Sequence, residues 1–594
     1  MKLSSALLLT LGHNSSAVYY DGNSALGYEE ERLNCVKSSS AYPRLAIDEI
    51  LKNVEIAKGS YIFVSHWFDD FSFDLRSSKY FDKEHFDSLV EKYSLKKILL
   101  NDSFTHHDAH AWSVLSFMCD QWNERHNEIV NENDLLHVIV ADGFGNSQEV
   151  ISVYSLTAKG DFKSGLRLEN RIYGYQNSLG LMYQYATSYC GMKENQDEYK
   201  FLGYETYVSS ILNKNQLSKL RYLAEVKAEK TWSEIKNNPD GRRLNFSSNK
   251  NELTELVNID ALAEVKDLWH RHYADVLGEV CPGVSGRSVR IVIGHYIQQL
   301  IELVVLKLID NFNMRHVALA GGIFYNVKLN NRILNKIPGT FSVVPLAGDQ
   351  GCGAGMYEAH VGGFKWGDLK WGKRPSFSNW KDSLSPEDMK KYAPYIRHYG
   401  EDQRSIAVYD SMTLLSKNKL VNVVKSNMEF GPRALCSTTT LSMPTNNNVM
   451  IINELNERDT VMPMAPVILD ENIGYFFDEV IADRVVGSDK YMILTYNYKE
   501  PELDLYGGVA HKYPDRNVWS GRPQKVGKED TFMYGVLSSI SNKTKALINT
   551  SFNAHGRPIV YDIHSVMDSF KFEFDRALHL NVDLPYLFLC DFDG

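Results

Sequence analysis

Residues 135–156 read LLHVIVADGFGNSQEVISVYSL. An apolar run ends in Asp142-Gly143-Phe144-Gly145, turns, and runs back as a β-branched strand. Glycines at such a turn adopt backbone conformations that other residues resist, so the pattern predicts strand–turn–strand. The start of the chain has the same layout. LLLTLGH (7–13) and SAVYYDG (16–22) read as strands meeting at Asn14-Ser15, and Asp21-Gly22-Asn23 turns the chain into a third strand, ALGYEEERL (25–33). A helical stretch follows at PRLAIDEILKNV (43–54). There is no short tandem repeat, but the echo points to a duplicated unit.

Residues 205–300 predict a helical insert, and charged runs such as LAEVKAEKTWSEIKNN (223–238) read as a solvated face. From residue 315 an α/β pattern returns in HVALAGGIFYNVKLNNRIL (316–334) and FSVVPLAGDQGCGAGMYEAH (341–360). Each is an apolar strand, a Gly-rich turn and a helix start, a place that favours an anion. GGFKWGDLKWGKRPSFSNW (362–380) has linker composition. The expected division is a first domain at 1–365, a linker at 366–405 and a second domain at 406–594.

At 594 residues the chain exceeds what one core supports, and its 44% apolar and 23% charged residues are those of a globular protein. A net charge of -10 argues against coating duplex nucleic acid but leaves room for a basic pocket around a small anion. The opening MKLSSALLLTLGHNSS passes straight into a turn without a small-residue cleavage site, so it predicts a first strand rather than a signal peptide. No apolar stretch is expected to reach the roughly 20 residues that span a bilayer. Seven scattered cysteines without CxxC spacing suggest reduced thiols and a cytoplasmic setting.

His106-His107-Asp108-Ala109-His110 stands just before the helical pattern AWSVLSFM. If the segment is helical, His106 and His110 lie one turn apart and can share one divalent ion at about 2.0–2.2 Å each, with His107 pointing elsewhere. Two ligands are too few. Asp349, in a turn after the strand FSVVPL, stands where α/β crevices form, although capping the next helix is its alternative task. The turns Asp142-Gly143 and Gly321-Gly322 read as phosphate or ribose contacts. Arg433, on the Gly-Pro turn of MEFGPRAL (428–435), suits bidentate phosphate recognition. Asn549, Ser551 and Asn553 close an apolar strand, with an Asx-type turn as the plainer reading.

Taken together, LGHNSSAVYYDG, EEERLN, HHDAHAWSVLSF, ADGFGN, NSLGLMYQYATSYCG, DEYKFLG, ALAGGIFYNVKLNNRIL, PLAGDQGCGAG, MEFGPRAL and LINTSFNAHGRPIV resemble the NodU/CmcH carbamoyltransferases, in the family's order across nearly the whole chain. The resemblance implies an α/β fold: an actin-like ATPase domain of duplicated ribonuclease H-like units, followed by a YrdC-like domain. It implies that the YrdC-like part joins carbamoyl phosphate and ATP, with Mg2+, into carbamoyl adenylate with loss of pyrophosphate. The actin-like part then passes the carbamoyl group to an acceptor hydroxyl. His106, His110 and Asp349 would hold a metal, Fe2+ ahead of Mn2+ or Zn2+, and His13 would position or deprotonate the acceptor. Glu198, Lys200, Gly321, Gly322 and Asn326 would line the nucleotide or substrate cleft.

The chain also departs from the family's pattern. Thr438 stands where the family has Arg, Cys436 where it has Gly, and Met462 where it has the Arg of RPFAP. Arg458, Arg516, Arg522 and Lys525 are the residues expected to restore that charge. A tRNA threonylcarbamoyladenosine enzyme and a nucleotide-binding regulator are the competing readings. The acidic balance weighs against the first, and the missing arginines support the second.

Overall fold

The structure, a computed structural model, describes residues 4–592 except 13, 66–80, 159–161, 163–164, 241–258, 459–463, 501, 514–517 and 555. His13, Met462 and Arg516 therefore lie outside the described residues.

Strands β1 (Ala6–Thr10), β2 (Ser16–Tyr20), β3 (Ala25–Glu29), β4 (Tyr61–Val64) and β5 (Lys96–Leu99) form a sheet in the order β3-β2-β1-β4-β5. β6 (Leu135–Ala141), β7 (Glu149–Thr157), β8 (Arg167–Tyr173), β9 (His316–Ala320) and β10 (Phe341–Val343) form a second, in the order β8-β7-β6-β9-β10. In each sheet the first three strands are antiparallel and the last two join in parallel. The two orders are the same, which is the duplicated ribonuclease H-like architecture of the actin-like fold. The echo at 7–22 and 135–156 is the first hairpin of each copy. β1 is buried at every position, as befits a central strand covered on both faces. Asp21 makes the turn between β2 and β3 by accepting from Asn23 N (2.8 Å) and Ser24 N (2.7 Å), an Asx turn.

The helix that follows β5, His106–Gln121, packs on β6 and β9 of the other sheet. The helix that follows β10, Cys352–His360, packs on β1 and β4 of the first. The two helices cross in close contact with each other. Gly355 makes this crossing feasible, since a Cβ there would stand 1.9 Å from the Ala109 carbonyl oxygen.

Between β8 and β9 the described residues are mainly helical, including Lys214–Asn237, Ile259–Val280 and Arg287–Asn311. The last is a correction to the expectation that no segment is long and apolar enough to cross a bilayer. It has 25 residues and mean hydropathy 1.5 in its most apolar window, and 78% of that window is buried inside the protein. Sequence inspection missed it because polar residues such as His295, Gln298 and Glu302 interrupt the run.

The C-terminal half carries β11 (Ile396–Tyr399), β12 (Val421–Lys425), β13 (Thr438–Ser442), β14 (Ala465–Leu469), a small sheet of β15 (Tyr496–Asn497), β16 (His511–Tyr513) and β17 (Val518–Gly521), then β18 (Gln524–Val526), β19 (Ala546–Ser551) and β20 (Tyr586–Cys590). Its main sheet runs β11-β20-β12-β13-β19-β14-β18. β11 precedes residue 406, so this unit begins inside the stretch expected as a linker.

Residues 366–405 are no loose connection. Trp366, Trp371, Phe377 and Trp380 are buried. Trp366 Nε1 donates to Ser116 Oγ at 2.8 Å, and Trp371 packs on Phe430 at 5.1 Å between ring centroids. The Trp371 carbonyl also accepts from Gly27 N at 2.9 Å. Glycine and lysine content suggested flexibility, while aromatic burial decides the packing. Phe341 of β10 also exchanges backbone hydrogen bonds with Arg484 and Val486, a second contact between the halves.

Gly321 has φ +100°, and a Cβ there would meet the Ala141 carbonyl oxygen at 2.1 Å, whereas a Cβ on Gly143 meets nothing within 4 Å. Gly321→Ala is expected to lower the unfolding free energy by about 2 kcal/mol or more, and Gly143→Ala by less than about 1 kcal/mol. Urea midpoints at constant m-value check this, and equal effects would contradict the close approach.

Candidate active site

The His-rich segment is helical from His106 because its N-terminus is unusually well supplied with acceptors. Thr105 and Asp108 form a capping box, in which Thr105 Oγ1 accepts from Asp108 N and Asp108 Oδ2 accepts from Thr105 N at 2.8 Å. His106 N donates to Asn146 Oδ1 at 2.9 Å, and His107 N to Glu149 Oε1 at 3.0 Å. Glu149 is fully buried, and burial pushes its carboxyl up while Arg171 and the His107 N–H pull it down. Arg171 in turn pairs with Asp108 at 2.7 Å. Helix N-termini favour such negative groups.

His106 and His110 face the same way, with their Nε2 atoms 3.1 Å apart. His107 turns to Ser152, its Nδ1 lying 2.8 Å from Oγ. Asp349 Oδ1 lies 3.3 Å from His106 Nε2 and 3.6 Å from His110 Nε2. Asp142 Oδ2 lies 3.4 and 3.2 Å from the same two atoms. Asp142, expected as a phosphate or ribose contact, thus faces the imidazoles. Its other oxygen is held by Gly143 N at 2.7 Å and Gly322 N at 3.3 Å. The two glycines present their N–H groups to this carboxylate.

Burial works against charge on either imidazole, but Cys352, Asp349 and Asp142 outweigh it and hold both well above the usual histidine range. Burial likewise opposes ionisation of Asp142, and the two histidines reverse that. Donors about 2.1 Å from a shared ion stand about 3.0–3.4 Å apart. The observed separations of 3.1–3.6 Å among two imidazole nitrogens and two carboxylate oxygens fit a divalent cation. Cys352 Sγ belongs to the same cluster.

Sequence reasoning missed the ligand position of Asp142, the thiol, and the Glu149–Arg171 support. An Asp after the first and after the last strand of the second copy, Asp142 after β6 and Asp349 shortly after β10, was the available signal. For Arg171 there was none.

The second cluster is cationic. Arg433 Nε is buried without a hydrogen-bond partner among the described residues. Burial pulls this guanidinium below its ordinary range, with Tyr325 and Tyr199 acting against that. Burial, with Arg433 beside it, brings Arg522 down to about 9. Two half-buried like charges near each other favour an anion beside them. Arg458 lies on β19's end, donating to Thr550 Oγ1 at 2.8 Å and to the Ser551 carbonyl at 3.1 Å.

Several expected ligand contacts have structural partners instead. Asn549 donates to the Ala434 carbonyl at 2.9 Å and also bonds Gln524 and Thr439, so it fixes the loop that carries Arg433. Asn553 donates to the Arg557 carbonyl at 2.7 Å. Asn326 caps its helix through Leu329 N and donates to Gln298 at 2.7 Å. Lys525 sits between Asp470 and Asp489, 3.0 Å from each, on the wall of a cavity of about 700 Å³ that Lys370, Arg374 and Ser426 also line. Its charge is already balanced. Lys200 pairs with Asp197 at 2.6 Å, and Glu198 accepts from Asn195 N at 2.7 Å. Thr438 Oγ1 donates to Glu429 at 2.7 Å, which satisfies that buried carboxylate without an arginine.

A profile described as "Carbamoyltransferase N-terminus" matches residues 10–357, and one described as "Carbamoyltransferase C-terminus" matches residues 412–582. The chain belongs to the NodU/CmcH carbamoyltransferase family. This carbamoyltransferase is 26% identical to an uncharacterized protein, MJ1051, of Methanocaldococcus jannaschii, over 96% of this chain and 97% of that one. It is 23% identical to nodulation protein NolO of Bradyrhizobium diazoefficiens, over 73% and 75%, and 22% identical to NolNO of Sinorhizobium fredii, over 94% and 77%. Among solved structures, HypF of T. kodakarensis aligns over 60% of this chain and 48% of its own, at 13% identity and a TM-score of 0.30. A ROK family glucokinase of Streptomyces griseus aligns over 60% and 98%, at 10% and 0.25.

Removing one of two repelling cations has opposite effects on the empty and filled carbamoyltransferase. Arg522→Gln is expected to stabilise the free protein by up to about 1 kcal/mol and to weaken pyrophosphate binding at least about tenfold. Unfolding midpoints and titration calorimetry read both. Unchanged pyrophosphate affinity would remove Arg522 from the site.

Proposed function

We propose that this carbamoyltransferase forms carbamoyl adenylate in its C-terminal half and passes the carbamoyl group to an acceptor hydroxyl at the His106–His110 crevice. The observation that carries the reading is a pair of half-buried guanidiniums, Arg433, whose buried Nε has no hydrogen-bond partner among the described residues, and Arg522 near it, in a chain that also gathers two imidazoles and two carboxylates. One carbamoyl phosphate, one ATP and one water give carbamoyl adenylate, pyrophosphate and phosphate. In the transfer, the acceptor oxygen bonds the carbamoyl carbon, the bond from that carbon to the AMP oxygen breaks, AMP leaves and the hydroxyl proton goes to a base.

Arg433, Arg522 and Arg458 bind and orient the phosphates, and preorganised cations act where charge develops. Arg458 supplies charge that Thr438 and Met462 do not. His106, His110, Asp142 and Asp349 are the residues that hold the metal, Fe2+ ahead of Mn2+ or Zn2+, and Mg2+ accompanies ATP. A divalent ion there supplies Lewis-acid polarisation of a phosphate or carbamoyl oxygen. His13 takes the hydroxyl proton. In sequence it stands three residues after Thr10 of β1, whose Oγ1 donates to the Asp349 carbonyl at 3.5 Å. The protein acts in the cytoplasm on a hydroxyl-bearing small molecule or nucleoside.

With ATP and labelled pyrophosphate, label is expected to enter ATP only when carbamoyl phosphate is present, and Arg433→Ala should slow this about 100-fold or more. No exchange in the wild type would sink the adenylate step and leave a nucleotide-binding regulator. His106→Ala should keep the exchange while losing bound metal and transfer. Metal retained by that variant in elemental analysis would overturn the ligand assignment.

A further inference from the structure

Cys352 is the first residue of the helix Cys352–His360, fully buried and free of any disulfide. Buried thiols commonly serve as small apolar fillers, and Cys352 does touch the core. Its sulfur, however, points toward polar neighbours. Sγ, the imidazole nitrogens of His106 and His110, and a carboxylate oxygen of Asp349 all lie within 4.8 Å of one another.

Its position follows from the same crossing that gathers the histidines. Gly355 lets the helix reach the Ala109 carbonyl, and Gly353 lets it lie against Leu8, where an added Cβ would meet the Leu8 Cβ at 2.8 Å. Pinned between β1 and the His106–Gln121 helix, the first turn of Cys352–His360 sits over His106 and His110. Asp349 and Cys352, three residues apart, then reach the same imidazoles that Asp142 contacts.

We propose that Cys352 is a thiolate ligand of the metal centre, completing a set of two imidazoles, carboxylate oxygens and one sulfur. The inference rests on the reading that His106, His110 and Asp349 hold a divalent ion, and adds a ligand and a selectivity to it. On binding, the sulfur–metal bond forms and the S–H bond breaks, with the proton released to solvent. Thiolate is a soft ligand, so this set takes Zn2+ or Fe2+ in preference to Mg2+ or Ca2+, which favour oxygen alone.

The test is Co2+ spectroscopy of the metal-free full-length protein with one equivalent of ion. The wild type is expected to show visible ligand-field bands and a near-ultraviolet thiolate-to-cobalt band. Cys352→Ser and Cys352→Ala should keep the first, lose the second, and bind Co2+ at least about tenfold more weakly. Zn2+ should displace the cobalt, and excess Mg2+ should not. Visible bands that vanish in His106→Ala, without any thiolate band in the wild type, would overturn the sulfur ligand and leave the metal site standing. A wild type that binds no cobalt would overturn both. If neither cysteine variant folds, the wild-type near-ultraviolet band decides the matter alone.

Discussion

The crossing of two helices at Gly355 and Ala109 is the constraint on which the rest of this structure depends. Each helix leaves the last strand of one sheet and lies on the sheet of the other copy. Their contact is backbone to backbone, because any side chain at 355 would collide with the Ala109 carbonyl. Close packing of this kind transmits position over short distances with little slack. Their N-terminal turns therefore meet, bringing His106 and His110 from one copy against Asp349 and Cys352 from the other. The duplication does more than build a larger protein. It supplies two helix ends that face a common point.

Much of this was legible in the sequence, for stated reasons. A two-residue apolar period followed by glycine marks a strand and its turn, so both hairpins could be read. The i, i+4 spacing of His106 and His110 carried their geometry without reference to the rest of the chain. Asp349 followed from its place after a strand. Asp142 was legible as a carboxylate at a strand end, but its place beside the imidazoles was not, because sequence does not show which side of the crevice a side chain faces. The Glu149–Arg171–Asp108 network was invisible, since its members come from β7, β8 and a helix with no shared pattern. The stretch at 366–405 was misread because composition counts residues and does not weigh them. Four large buried aromatic rings outweigh many glycines and lysines.

The C-terminal half shows a division of labour within its motifs. Asn549 and Asn553 look like ligand residues by type, yet each has its amide engaged by the backbone around Arg433 and Arg557. They make the scaffold that holds the half-buried Arg433, whose Nε has no hydrogen-bond partner among the described residues. Keeping two such cations together is unfavourable in the empty protein, which is why the surrounding loop is so thoroughly hydrogen-bonded. Thr438, the first residue of β13, and the buried Glu429 bracket that loop and stabilise it without another positive charge.

The tryptophan strap that ties β3 to the loop preceding Arg433 has a consequence for traffic between the halves. Trp366 and Trp371 fasten one side, and the Phe341–Val486 backbone bonds fasten the other. Fastened on two sides, the halves are held against each other by backbone and aromatic contacts. On the proposed reading, an intermediate made in one half would then have a short path set by geometry to the other, with less loss to the surrounding solution.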